Sequence, residues 1–387
     1  MSNYHELMRI FTLPRPSASS GEARTIRAIK QWLEQRGIAY TSQPFWLFPY
    51  SNELIGLWLL SSAGLLSATA IFHWPWWMLL VVAILMATVI TNVVSGIPLA
   101  VWMLPQRGEN LLITLEPAGR PAKQELVIAS HYDSKTELCD HVTTGRLFRQ
   151  LPRCIGLAIA VIVIGLLERL LLQPGTLLQQ IVWIAQVGLS LPILLVIGLV
   201  GLNLIPGRVI EQSAGAVDNG AACAVILGLA ERLHQQPDLL GSTRVTLALF
   251  GGEEVSMQGS LAYVRGRTWD LPTRAINLEL LGQRGPYVIW QAEGNVLVSA
   301  ATDTQVAAEI TEAVAAVTGQ PVRMVGGINS DGFSFVRHGI PACTFGSYDP
   351  IQGGGGLHRP SDNLARVAIE RLPETEAILC TIIRSKI

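Results

Sequence analysis

The stretch LFGGEEVSMQGS (Leu249–Ser260) sets two carboxylates, Glu253 and Glu254, side by side. They follow an apolar run, VTLALF (Val245–Phe250), that reads as a buried strand. Adjacent like charges repel, and desolvating each costs several kcal/mol. A solvated acidic turn would account for the pair. So would a division of labour in which one acid grips a metal and the other moves protons. Other polar residues share the setting. ELVIAS (Glu125–Ser130) runs straight into HYDSK, so His131 follows a strand and Asp133 stands two residues on. A carboxylate there can hold the second imidazole nitrogen and fix its tautomer, although a satisfied structural histidine fits the same spacing. Asp218 lies in GAVDNGA ahead of a helix, a place equally suited to an N-cap. Glu279 is enclosed by Leu278, Leu280 and Leu281, which is awkward for an acid without a cation. His358 sits in the flexible loop GGGGLHRPSDN (Gly353–Asn363), where an ordinary loop histidine is the plain alternative.

Together these residues are less ordinary than they are singly. Two histidines and three carboxylates, mostly at strand ends, make a hard nitrogen–oxygen ligand set. Such a set suits zinc or a similar divalent ion and needs no thiolate. Five protein ligands exceed what one catalytic zinc needs, so two metals sharing a bridging carboxylate fit better.

The elements that must position them alternate. ENLLITLEP (Glu109–Pro117), ELVIAS, VTLALF, AINLEL (Ala275–Leu280) and PACTF (Pro341–Phe345) read as strands. Helical patterns cover Glu22–Arg36 with Gly37 as C-cap, Ala221–Leu233, Thr302–Val317 and, as a closing helix, Leu364–Ile383. This alternation predicts an α/β fold, a mixed and mostly parallel sheet with helices on both faces. In such folds the site lies at the carboxyl ends of the strands.

Composition adds a membrane. Of 387 residues, 15% are charged and 50% hydrophobic, against about 25% charged in ordinary soluble domains. Four apolar stretches, Leu54–Phe72, Trp76–Leu104, Cys154–Leu172 and Leu177–Ile205, are each near or above the about 20 residues that cross a bilayer. The links HWP and QPG are too short to be domains, so the spans pair as two hairpins. Glu168 and Arg169 then fall at the membrane interface, as do the tryptophans of HWPWW and Trp102. The expected organisation is a polar domain in three pieces, residues 1–53, 105–153 and 207–387, interrupted by hairpins at 54–104 and 154–206. Lys and Arg concentrate on the polar side of the spans, which predicts a multi-pass integral membrane protein with that domain facing the cytoplasm. The polar N-terminus does not read as a signal peptide. A net charge of −1 argues against a nucleic-acid partner. Five scattered cysteines, at 139, 154, 223, 343 and 380, read as free thiols in a reducing compartment.

The order HYDSK, GAVDNGA, FGGEE, NLELLG, SDGFSFVRHGIPA (Ser330–Ala342) and LHRPSDN resembles the clan MH zinc exopeptidases. It is most similar to the aminopeptidase S and aminopeptidase Y family, which also contains glutamate carboxypeptidase II and the glutaminyl cyclases. The resemblance covers the polar domain and not the four spans. It implies the phosphorylase/hydrolase-like zinc exopeptidase fold and two zinc ions per chain. It implies that Asp218 bridges them, that His131 and Glu279 complete one site, and that Glu254 and His358 complete the other. It further implies that Glu253 is general base and acid towards a zinc-activated water, that Asp133 orients His131, and that Ser330 and Asp331 line the site. The implied activity is a membrane-embedded aminopeptidase acting on the N-terminus of a peptide or protein, with a membrane-associated substrate favoured by the hairpins. Two features depart from the pattern. Glu279 stands where the peptidases more usually have Asp, and HYDSK is the wording of the single-zinc glutaminyl cyclases.

Overall fold

The computed structural model describes all residues except 1, 75, 96–104, 206–211, 296, 350–353 and 385–387. The chain forms two compact units. One comprises Met1–Pro49, Pro105–Thr136 and Ile210–Ile387, and the other Tyr50–Leu104 and Glu137–Val209.

The first unit is built on a sheet whose described strands are β1 (Thr41–Leu47), β2 (Gln106–Leu115), β3 (Gln124–His131), β4 (Thr243–Phe250), β5 (Thr273–Glu279), β6 (Tyr287–Gly294), β7 (Ser299–Ala301), β8 (Arg323–Ile328) and β9 (Ala342–Ser347). Their order is β1-β2-β4-β3-β5-β9-β6-β7, with β8 also paired to β6. The centre, β4-β3-β5-β9, is parallel, and antiparallel pairs flank it at β1-β2, β2-β4, β9-β6 and β6-β7. Side chains alternate across the pleat. Leu126, Ile128, Leu247 and Ile276 therefore join one core, whereas Val127, Ala129, Ala248 and Ala275 join the other with Tyr263 and Phe335. Helix Ala221–Gln235 is buried on nearly every face, as its all-round apolar sequence demands. Register brings His131 level with Phe250 and places Ala129 opposite Asn277. Thus β3, β4 and β5 end together.

Two sequence expectations shift. The closing helix spans Leu372–Arg384 rather than starting at Leu364. Pro373 lacks an N–H and is tolerated only in a first turn; two short 3₁₀ turns precede it. Strands β1, β6, β7 and β8 were not anticipated. They are short or flanking, and β1 carries a proline in an edge strand.

The second unit is helical: Ser51–Ile71, Trp76–Ser95, His141–Phe148, Leu151–Leu171 and Leu177–Leu204. Among the described residues three stretches are long and apolar enough to cross a membrane, Ser51–Ile71, His141–Leu171 and Leu177–Leu204. The helix from Trp76 is described to Ser95, and the expected end of that span at Leu104, with Trp102, lies outside the described residues. Outward side chains such as Ile84, Leu170, Leu171 and Leu177 are exposed, a surface that water solvates poorly. Small residues let helices approach: a Cβ on Gly56 would lie 2.6 Å from the Gly201 oxygen. Glu168 is buried and accepts from Gln179 Nε2 at 2.9 Å, so it is partnered inside the unit. All five cysteines are unpaired.

Candidate metal centre

The residues with metal-ligating chemistry converge where the parallel strands end. β3 ends in His131 and β5 ends in Glu279. After β4 the chain turns through Gly251 and Gly252. A Cβ on Gly251 would meet the Tyr132 hydroxyl at 2.5 Å, and Gly252 has φ +70°, so both positions require glycine. The turn presents Glu253 and Glu254 back towards β3. Asp218 precedes the buried helix Ala221–Gln235, and its peptide bond to Asn219 is cis. His358 has φ +58°, a left-handed conformation uncommon for a side-chain-bearing residue and concentrated at functional sites.

The donors form two triads that share Asp218. His131 Nε2 lies 3.3 Å from Asp218 Oδ1 and 3.6 Å from Glu279 Oε2. His358 Nε2 lies 3.1 Å from Asp218 Oδ2 and 3.3 Å from Glu254 Oε1. Each oxygen of Asp218 therefore serves one triad, and the donors of each triad lie within 4.8 Å of one another. Zinc bonds of about 2.0–2.1 Å in a tetrahedron put neighbouring ligands about 3.3 Å apart. The observed spacings match, the donors are nitrogen and oxygen only, and the residues fit a pair of zinc ions. Glu253 Oε2 lies 3.8 Å from His131 Nε2, and with His131 and Glu254 it forms a further group of donors within 4.8 Å of one another.

A second ring of polar groups holds these side chains. The Asp133 carboxylate accepts the backbone N–H of Glu253 and of Glu254, each at 3.2 Å, and the Ser17 hydroxyl at 2.7 Å. His131 Nδ1 lies 3.2 Å from the Asp133 carbonyl and 3.5 Å from its carboxylate. Asp133 thus braces the Glu-Glu turn as well as the imidazole. Asp362 accepts the N–H groups of Val217 and Asp218 at 2.7 and 3.2 Å. Asn219 Nδ2 donates to Glu279 Oε2 at 2.9 Å, and Asn277 Nδ2 reaches Glu279 Oε1 at 3.3 Å. Arg15 is wholly buried and donates to the carbonyls of Tyr132, Ala214 and Gly215, tying the His131 loop to the Asp218 loop.

Burial and charge set the protonation. Burial alone would raise the Asp218 carboxyl, but the two histidines hold it well below its ordinary range. Burial pushes Glu253 well up, opposed by His131 and reinforced by Glu254, Asp331 and Glu279. Burial would lower His131, yet Glu279 and Glu253 raise it well above its ordinary value. Glu279 is raised by burial. The same cause lifts Asp331 to about 7 and, with help from Asp218, Asp362 to about 6. So many acids in contact call for positive charge, which a dication supplies.

The structure brings together every candidate: His131, Asp133, Asp218, Glu253, Glu254, Glu279 and His358. Ser330 joins through Asn277 Nδ2 at 3.1 Å. Asp331 is buried, and among the described residues neither of its oxygens has a hydrogen-bond partner. Sequence reasoning missed Arg15, Ser17, Asn219, Asn277 and Asp362. Asn219 and Asp362 stood inside quoted motifs, and their polarity beside a ligand was the available signal. Arg15 offered none, since its partners are remote in sequence.

The model of peptidase family M28 matches residues 203–383, a stretch that holds Asp218, Glu253, Glu254, Glu279 and His358 and leaves out His131. No curated protein matches the chain significantly. The fold is similar to that of a zinc aminopeptidase from Bacillus subtilis, at 13% identity and a TM-score of 0.57 over 99% of this chain and 95% of that one. It is similar to an aminopeptidase from Aneurinibacillus sp. strain AM-1, at 14% identity and a TM-score of 0.56 over 98% and 92%. It is also similar to a glutaminyl cyclase from Fimbriiglobus ruber, at 15% identity and a TM-score of 0.56 over 98% and 92%. At these identities the likeness is one of fold.

Proposed function

We propose that the chain is a membrane-embedded zinc metallopeptidase of the M28 type, close to the aminopeptidase S and Y family, that removes residues from the N-terminus of peptides. The observation that carries this reading is the pair of triads joined by Asp218, with Glu253 beside them. His131, Asp218 and Glu279 would hold one zinc ion, and Asp218, Glu254 and His358 the other. Zinc, when bound, supplies Lewis-acid polarisation of a carbonyl and makes water acidic enough to attack near neutral pH. Glu253 would take a proton from the attacking water and return it to the leaving amine. Asp133 fixes where Glu253 stands.

Four helices in two hairpins would anchor the catalytic unit on the cytoplasmic side of a bilayer. The substrate would be a peptide or the N-terminus of a membrane-associated protein, and nucleic acid is not a partner. A second reading, a glutaminyl cyclase-like acyltransferase with one zinc, is supported by the HYDSK wording and the shared fold. Its products differ. Zinc-loaded protein in detergent should release free glutamine from a Gln-initiated peptide and leave the acetylated peptide intact. Release of ammonia with a pyroglutamyl peptide would favour the cyclase, and no turnover of either would leave a catalytically inactive membrane scaffold.

A further inference from the structure

Behind Glu279 a buried hydrogen-bond chain runs away from the metal centre and ends in an acid that the mechanism does not use. Asn277 Nδ2 reaches Glu279 Oε1 at 3.3 Å and Ser330 Oγ at 3.1 Å. The Ser330 hydroxyl donates to Glu293 Oε2 at 3.0 Å. Glu293, Ser330 and Asn277 are all buried. We propose that Glu293 is a positioning residue for Glu279, acting through Ser330 and Asn277. The inference rests on the two-metal reading above.

The argument follows from donor and acceptor counts. Ser330 has a single hydroxyl proton, and Glu293 presents an acceptor oxygen to it whether or not the acid is protonated. The Ser330 oxygen is then left to accept, and it accepts from Asn277 Nδ2 and, at 3.3 Å, from the Gly332 N–H; Thr344 Oγ1, 3.1 Å from Ser330 Oγ, is a further acceptor for the same Asn277 amide at 3.3 Å. That choice fixes the Asn277 amide with its NH₂ towards Glu279. The flipped amide would set oxygen against the carboxylate and lose the bond to Ser330. Glu279 Oε1 is thereby held while Asn219 holds Oε2 at 2.9 Å. A glutamate has one more rotatable bond than an aspartate, so as a ligand it needs more fixing. Two amides gripping both oxygens supply it, and Glu293 sets the orientation of one of them.

The test is a zinc titration of the full chain in detergent against a competing chelator, which yields one dissociation constant per site. The constant abolished by Glu279→Ala identifies the His131 site. Ser330→Ala and Glu293→Leu should each weaken that site by about 10- to 100-fold, the usual effect of removing an outer partner, and leave the other constant unchanged. Glu293→Gln keeps an acceptor and should bind like the unmodified protein. In the Glu279→Asp background, Ser330→Ala should add less than about twofold, the scatter of uncoupled sites. Equal loss at both sites, no loss at either, or an undiminished effect in the Glu279→Asp background would overturn the proposal. Fewer than two zinc ions on the unmodified protein would instead remove the two-metal reading beneath it.

Discussion

Replacing Asp133 by Asn changes one oxygen to an NH₂ group and should disable the site without emptying its ligand set. The carboxylate accepts two backbone N–H groups at 3.2 Å and one hydroxyl at 2.7 Å. Hydrogen bonds to a charged acceptor contribute about 1.5–3 kcal/mol each. Asn keeps one acceptor oxygen, so one amide of the Glu253–Glu254 turn would face a donor. The expected destabilisation is about 2–4 kcal/mol, one such bond plus the loss of charge on the rest. Glu254 and His131 both depend on this brace, so zinc affinity should fall by about 10- to 100-fold. Glu253 would also shift, and a displacement of about 1 Å typically lowers turnover by about 100-fold even when zinc is saturating. Chelator competition and kcat on a zinc-saturated sample separate the two effects. Ser17→Ala, which removes a single partner, should produce a smaller loss of both. If Asp133→Asn holds zinc as tightly as the unmodified protein and matches its kcat, the bracing role is wrong.

Other perturbations bear on separate parts of the account. Glu253→Gln should retain both zinc ions and lose turnover by about 100-fold or more; near-normal turnover would remove it as the proton carrier. Arg15→Met would leave the buried carbonyls of Tyr132 and Ala214 without their donor, whereas the Gly215 carbonyl keeps the Gly220 N–H at 3.0 Å. At about 1–3 kcal/mol for each of the two the loss is a large fraction of a domain's stability, so thermal scans should show a marked drop in Tm that Arg15→Lys only partly restores. Burial lifts Glu293 from 4.5 to about 7, so the folded state keeps a proton that the unfolded chain has shed. Its stabilisation is complete below about pH 4.5 and is lost as pH rises to about 7, a change of about 3 kcal/mol. Glu293→Gln should flatten the dependence of Tm on pH across that window, and an unaltered slope would count against the raised proton affinity. Sidedness needs an introduced thiol, because Cys343 is fully buried. Ala316→Cys, on an exposed position, should resist an impermeant maleimide in intact cells and react after lysis; labelling before lysis would place the unit outside.

Three of the candidate ligands, His131, Glu254 and Glu279, were legible because each stands at or just beyond a strand end, where an apolar run stops and a polar residue follows, whereas Asp218 and His358 stood out only through their glycine-rich loops. His131 after ELVIAS and Glu279 at the end of AINLE show this most plainly. Their supports were not legible. Arg15 lies in coil and serves carbonyls about 120 and 200 residues away, and no period or motif connects them. Asn277 alternates with apolar neighbours and reads simply as an interruption of a strand until Glu279 and Ser330 are seen on either side of it. The flanking strands β6, β7 and β8 escaped for a different reason. β7 and β8 are mostly exposed, so tertiary pairing rather than local propensity decides them, whereas β6 opens on the buried β-formers Tyr287–Trp290 and its signal was present but unread. The second unit shows the reverse case. Its composition announced long apolar helices, whereas the burial of Glu168 among glutamines depends on packing that composition does not encode.

The central claim is that Asp218 joins two metal sites, and zinc per chain tests it most directly. Protein purified in detergent, loaded with zinc and dialysed against low zinc should carry two ions by elemental analysis, falling to one or none in Asp218→Ala. One ion on the unmodified chain would contradict the shared-carboxylate arrangement, and none would contradict the metal centre itself.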